Sequence, residues 1–424
     1  MLHRLDLRGV AQPAAGLPRP TGAQSRPLDD VQVILDDVRA RGDAALGDLA
    51  DRFDGGAPDA WRVPAAELEA ALERVPAELR TSLEAAADRI RDFHGSPTVP
   101  PDIFERDGMT VRAVRQAVDR AGCYAPGGRG SYPSTVLMTV IPARMAGVAE
   151  VVLCTPPGDN RRVADATLAA AALAQVDEVY AVGGVGAIAA LAYGTESVRP
   201  VDVIVGPGNS YVATAKQLVA GEVGVPSAFA GPSEIVVIAD DSAVPGHVAI
   251  DLMVQAEHGP DGLAWLVTWQ PELIDAVELE LTTMVAAAAR REDIEATLAS
   301  NGYAVVVDGP DAAVEVSNRI APEHLQLMTA QPDQLVAGVR HAGAVFVGPL
   351  APASLGDYIA GPSHVLPTHG TARFSGALST DDFVKHFHVI DVSRPGFDAV
   401  ADHVEVLATA EGFEAHAQSI RLRR

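Results

Sequence analysis

VVLCTPPGDNRRVADATLAAAALAQVDEVYAVGGVGAIAALAYGTESVRPVDVIVGPGNSYVATAKQLVA, residues 151–220, is the stretch from which the fold reads. Short β-branched runs (VVLC, EVYAV, VDVIV) alternate with Ala- and Leu-rich runs of helical length near 164–175, 187–193 and 210–220. Strands that each lead into a helix predict βαβ units, hence a mostly parallel sheet covered on both faces. The alternation restarts after Gly231: IVVIAD, a helix from about Pro245 to His258, LAWLVTW, a long helix to about Arg291, YAVVVD, a further helix and AVFVG. The expected fold is α/β, with two Rossmann-like, mostly parallel blocks.

Outward from these blocks the texture changes. From Leu28 to Phe93 the pattern is helical: Val31, Ile34, Leu35 and Val38 share one face, Asp29 or Asp30 stands where a cap would, and Pro64 opens a second run. HGSPTVPPD, residues 94–102, marks a linker or domain crossing. From Thr380 the rhythm is lost, and the chain ends with a short helix near 411–421. The domain reading is an N-terminal segment 1–21, a discontinuous α/β domain 22–103 plus 232–379, an α/β domain 104–231, and a C-terminal tail 380–424.

Composition excludes several functions. The 424 residues suffice for two to three folded units with real cores. With 32 basic against 56 acidic residues, the formal charge of −24 repels polyphosphates and anionic lipid, so nucleic acid and membrane are poor partners. The most apolar stretch, 136–154, is broken by Arg144 and Glu150, and MLHRLDLRGV lacks a secretory core, so a cytoplasmic protein is expected. Cys123 and Cys154 make no disulfide framework; with no base readable beside them, they read as buried small residues. Lysine occurs only at 216 and 385, which reads as codon usage and not as function.

Two glycine-rich turns follow consecutive strands. Gly184, Gly186 and Ala189 spell G-x-G-x-x-A, although the acid that should end the next strand is represented only by Asp202 at its start. GPGNSYVATAK puts Asn209 at a helix N-cap or facing a ligand, and CYAPGGRGSYPSTVLM sets Tyr124 ahead of a third loop. Turns leaving parallel strands face one carboxyl edge, so the three suggest a nucleotide cleft.

Ten of the twelve histidines follow Asp240. In DLMVQAEHGPDG a helix ending at Gly259-Pro260 leaves Gln255 and His258 three apart on one face, where they can converge on an ion; a capped surface histidine reads equally well. SLGDYIAGPSHVLPTHG offers Asp357, Tyr358 and His364 in a loop, with oxygen and nitrogen donors suited to zinc. Glu411 and His416 alone read as a solvated helix, and His386 with His388 as a rival metal pair or a packed strand face. In NRIAPEHLQL the carboxylate of Glu323 beside the imidazole of His324 can divide water activation and proton transfer, though such neighbours also arise by chance.

Taken together, VRARGDAAL, CYAPGGRGSYPSTVLM, GPGNSYVATAK, AGPSEIVVIAD, QAEHGP, IAPEHLQL, GDYIAG with HVLPT, and EGFEAHAQS resemble the histidinol dehydrogenase family, in the family's order and over nearly the whole chain. The resemblance implies four-electron oxidation of L-histidinol to L-histidine via L-histidinal, with two NAD, one Zn2+ per subunit, and a homodimer that exchanges its C-terminal tail. It implies that Gln255, His258, Asp357 and His416 hold zinc and line the substrate site, His416 coming from the partner subunit. Ser233, Glu323, His324, Tyr358, His364 and Glu411 would contact substrate, and Tyr124 and Asn209 the NAD. Glu323 would activate water and His324 would act as general base and acid. Where the family carries Gln, this chain has Gly186 in the cofactor turn, which predicts weaker or altered NAD binding; the 361–363 segment before His364 also departs from the commoner form. A zinc hydrolase using the same ligands without NAD, and a zinc-stabilised binding protein, are the competing readings.

Overall fold

In a computed structural model of the chain, the described residues are 1–18, 27–95, 103–128, 130–226, 233–257, 259 and 262–424. They fall into a larger unit, Met1–Gly95 with Asp119–Asp382, and a smaller one, Ser96–Val118 with Phe383–Arg424.

The alternation of the sequence builds two parallel sheets in the larger unit. Arg120–Tyr124, Glu150–Thr155, Glu178–Ala181 and Val203–Val205 lie side by side in the order third, second, first, fourth. Glu234–Ala239, Leu263–Thr268, Gly302–Val306, His324–Met328 and Ala344–Val347 repeat that order with the fifth strand beyond the fourth. Each order reverses between its first and fourth strands, the switch point at which doubly wound sheets open a crevice. Glu234–Ala239 and Leu263–Thr268 are buried at every position, as parallel strands covered on both faces must be. The α/β reading with parallel sheets holds.

The N-terminal region differs from expectation in its breaks. Gly42, at φ 55°, divides the first helical run into Leu28–Arg41 and Asp43–Phe53, and Val75-Pro76 divides the second into Ala65–Arg74 and Ala77–His94. Pro27 occupies the first N-cap, so Asp29 and Asp30 lie in the first turn, where they face the helix dipole instead of capping it. Val31, Leu35, Val38 and Leu46 share one core with Val152, Ile188, Leu191 and Ile204. Each such side chain contributes roughly 1.5–3 kcal/mol on burial, so this apolar stripe fixes the helices to the first sheet. Arg62–Val63 adds an antiparallel edge to that same sheet. His3–Asp6 extends the second sheet beside Gly302–Val306.

In the smaller unit Met109–Ala117 pairs antiparallel with both Ile103–Arg106 and Val384–Val392, and helices Arg394–Ala410 and Glu414–Arg421 follow. Residues 380–424 thus hold the strand on which His386 and His388 were expected, longer than the sequence displayed, and a 17-residue helix beside the short terminal one. His386 and His388 are both exposed on the strand. Among the described residues, no helix is long and apolar enough to cross a membrane.

Candidate active site

Three turns gather at the carboxyl edge of the first sheet. Tyr124 closes its strand with a buried ring, and its hydroxyl accepts the Gly184 N–H at 3.1 Å. Burial pushes this phenol up to about 12. Asn209 is the N-cap of Ser210–Val219: its Oδ1 accepts the N–H groups of Tyr211 and Val212, each at 3.1 Å. Asp202 lies at the opposite edge, accepting the N–H groups of Asp119 and Arg120 at 2.9 Å, away from where a ribose-binding acid would stand.

Gly186 is buried within the helix Gly184–Tyr193, and a Cβ there would press on Leu49 and Leu46 at 3.1 and 3.3 Å. Its missing side chain lets that helix approach Asp43–Phe53 closely. A larger side chain there would need the ends of Leu46 and Leu49 to give by a few tenths of an ångström. Cys123 and Cys154 are fully buried free thiols; desolvation pushes Cys123 up to about 12 and raises Cys154 as well, the behaviour of inert core residues.

The catalytic candidates sit at the other kind of edge. His324 opens a strand and Glu323 directly precedes it, at the amino edge of the second sheet beside Ser233 and Glu234. The Glu234 N–H donates to Glu323 Oε2 at 3.0 Å, and His324 Nδ1 donates to the Glu234 carbonyl at 3.1 Å. That bond keeps a proton on Nδ1 and makes Nε2 the nitrogen whose protonation changes. Nε2 stands 3.5 Å from Asp357 Oδ1, an ion-pair separation without an aligned hydrogen bond. Burial opposes charge on this imidazole, but Glu323, 3.5 Å away, and Asp357 outweigh it and raise His324 to about 10. Phe346 stacks on the ring at 5.9 Å.

Glu234 was not singled out from the sequence. Its side chain is buried; Oε1 accepts the His369 N–H at 3.0 Å, and Oε2 has no partner among the described residues. Burial first, and Glu323 second, raise it to about 8. Its place directly after Ser233 in AGPSE was the available signal.

Gln255 lies in the last turn of the helix Pro245–Ala256, which returns to the same amino edge. It is 1% exposed, and neither its Oε1 nor its Nε2 has a hydrogen-bond partner among the described residues. The helix ends before the expected Gly259-Pro260 stop, and His258 lies outside the described residues. His364 Nδ1 donates to the Asp357 carbonyl, and the Thr135 hydroxyl donates to Nε2, both at 2.9 Å. With both nitrogens engaged and burial lowering its pKa, His364 is a neutral, fixed imidazole. Thr135 stands at the start of Pro133–Met145, just beyond the loop that follows Tyr124. Ser233 accepts the Leu263 N–H at 3.0 Å through its carbonyl, and Tyr358 is exposed. In the smaller unit Glu411 and His416 are exposed, the His416 ring resting against Phe413 at 5.2 Å. Glu323, His324, Asp357 and His364 are thus joined in one chain of contacts. Among the described residues, no group of three His, Cys, Asp or Glu side chains forms a metal cluster.

Fold and site together define a doubly wound α/β protein with a nucleotide-type carboxyl edge and a buried carboxylate-imidazole pair. A family model described as histidinol dehydrogenase matches residues 17–424. The chain is 48% identical over 395 residues to histidinol dehydrogenase from Parasynechococcus marenigrum (strain WH8102), covering 93% of this chain and 90% of that one. It is 44% identical over 436 residues to the enzyme from Leifsonia xyli subsp. xyli (strain CTCB07), covering 100% and 99%. A crystal structure of histidinol dehydrogenase from Elizabethkingia anophelis matches with a TM-score of 0.93 at 32% identity, covering 100% of this chain and 98% of that one. The chain belongs to the histidinol dehydrogenase family of NAD-dependent oxidoreductases. The hydrolase and binding-protein readings fall with that assignment.

Proposed function

We propose that the chain oxidises L-histidinol to L-histidine through L-histidinal, with two NAD consumed and one zinc ion in each subunit's site. The observation that carries this reading is a contact path between two sheet edges. It runs from His324 to Asp357, from Asp357 to His364, and from His364 to Thr135 beside the Tyr124 loop. A proton-handling pair is thereby coupled to a nucleotide-type edge within one unit.

The donor set suits zinc. Gln255 keeps both amide atoms buried and unpaired among the described residues, an arrangement that costs about 1–3 kcal/mol unless something binds there. Asp357 supplies a carboxylate. Gln255, His258, Asp357 and His416 of the partner subunit would hold the ion, which when bound gives the substrate's imidazole and amine a fixed point. NAD, with Tyr124 and Asn209 at its edge, supplies the hydride acceptor. Ile390, Val406, Leu407, Phe413 and Leu422 of the smaller unit are all more than half exposed, which supports a homodimer in which the tail is covered by its partner. Ser233, Tyr358, His364 and Glu411 complete the substrate contacts. The same reading places the work in the cytoplasm, where the thiols of Cys123 and Cys154 stay reduced.

His324 carries the proton chemistry. Because Nδ1–H is committed to Glu234, Nε2 is the nitrogen that exchanges protons: once it has released the proton that Glu323 and Asp357 favour on the ring, it takes the alcohol proton while the carbon gives up hydride to NAD, yielding the aldehyde. In the second oxidation Glu323, held by the Glu234 N–H, removes a proton from water adding to the aldehyde. His324, having passed the first proton to solvent, then takes the hydrate proton as the second hydride leaves to the second NAD, yielding the acid. Glu323→Gln should therefore slow histidinal oxidation by at least roughly a hundredfold, the scale of general-base loss, and alcohol oxidation less. Histidinal turnover at the wild-type rate in that variant would refute the assignment.

A further inference from the structure

Lys216 is one of two lysines in a chain that otherwise uses arginine for positive charge. It is also among the largest fully buried side chains, 1% exposed, on the inner face of Ser210–Val219. Burying an ammonium costs several kcal/mol, so such a group persists where its bonds are made well. Here the side chain reaches back ten residues along the chain, and Nζ donates to the Gly206 carbonyl at 2.8 Å. Burial lowers the group to about 8, so at pH 7 it is mostly charged and donates strongly.

The carbonyl it grips belongs to the most constrained point of the GPGN turn. Gly206 has φ 117°, and a Cβ there would overlap the Tyr124 carbonyl, so the turn lies directly on the end of the neighbouring strand. Val203–Val205 and Arg120–Tyr124 are adjacent strands, and they flank the switch point of the first sheet. Three residues beyond Gly206, Asn209 caps the helix on which Lys216 stands. The ammonium therefore closes a loop from helix to turn, under the segment that carries Asn209 and against the one that carries Tyr124. A planar guanidinium on a longer stem is a different shape and cannot stand in for this one linear donor.

We propose that Lys216 is a positioning residue for the dinucleotide: it fixes the Gly206–Asn209 turn in the shape that receives NAD, without itself touching substrate. The proposal rests on the reading that NAD occupies this edge. The test is steady-state kinetics and NAD equilibrium dialysis on the zinc-loaded enzyme carrying Lys216→Met, with Asn209→Ala measured beside it. Lys216→Met should raise the KM and Kd for NAD about tenfold, the effect of one lost charge-assisted bond. It should leave kcat and the histidinol KM within about twofold. In Lys216→Ala, added ethylammonium should restore part of the NAD affinity. If Asn209→Ala weakens NAD while Lys216→Met leaves its KM unchanged, or impairs NAD and histidinol alike, the proposal is overturned and the NAD site stands. If Asn209→Ala also leaves NAD binding untouched, the site reading fails first and the proposal with it. Should the methionine variant not fold, Lys216→Gln is read in the same way: a wild-type NAD KM in it overturns the proposal.

Discussion

Replacing Gln255 by methionine should make the metal-free protein more stable while destroying its response to zinc. The side chain is 1% exposed, and both amide atoms lack partners among the described residues. An unsatisfied buried amide costs about 1–3 kcal/mol, and methionine conserves the volume without the polar atoms, so the variant should gain that amount in chelator. Zinc at a thousandfold excess over its Kd would stabilise the wild type by about 4 kcal/mol, and the variant by much less once a donor is gone. The two effects have opposite signs, so the stability order should cross over: variant above wild type in chelator, below it in zinc. Urea unfolding followed by fluorescence and by circular dichroism, with and without chelator, measures both halves. A variant less stable than wild type in chelator, or one that gains as much from zinc, would refute the view that Gln255 is kept unpaired for a metal.

Thr135→Val removes the hydroxyl bonded to His364 Nε2 and leaves that nitrogen buried without its partner. The expected cost is about 1–3 kcal/mol in the same urea assay, with reduced turnover because His364 anchors the Asp357 carbonyl. An unchanged unfolding midpoint and rate would show that the link carries nothing. Glu234 gives a pH signature. Its folded pKa is raised to about 8 from 4.5, so between these values the folded state holds a proton the unfolded chain has released. The group's contribution is thus fully present below pH 4.5 and is lost as pH rises to about 8, in total on the order of a few kcal/mol. Glu234→Gln should therefore become progressively more stable relative to wild type from pH 5 to 8; a difference flat across that range would contradict the buried, protonated carboxyl.

What the sequence displayed follows from how strongly each environment constrains composition. Parallel strands buried on both faces must be apolar throughout, so VVLC, EVYAV and IVVIAD announced themselves, as did the adjacent Glu323 and His324. The breaks at Gly42 and Pro76 were hidden because apolar spacing continues across them and outweighs one residue of turn chemistry. The strand Val384–Val392 showed only in the spacing of His386 and His388, and its extent was hidden because its residues are mostly exposed and follow no alternation. Glu234 reads as one acid before an apolar run, and only folding shows it buried and holding Glu323 and His324 through its main chain. Around Gly186 the motif spacing resembles a phosphate turn, and only folding shows the residue buried against Leu46 and Leu49. The carboxyl-edge rule pointed to the glycine-rich turns, but the proposed catalytic pair stands at an amino edge, which no local pattern encodes.

The central claim is that one catalytic site is built from two chains, with Gln255 and Asp357 of one subunit and the tail histidine of the other. Mixing inactive Gln255→Ala and His416→Ala proteins in equal amounts under conditions that let subunits exchange tests it most directly. Half the dimers would then be mixed, each with one intact site, so roughly a quarter of wild-type histidinol oxidation should return. Mixtures that stay as inactive as their components, with subunit exchange verified, would show that each site is made within a single chain.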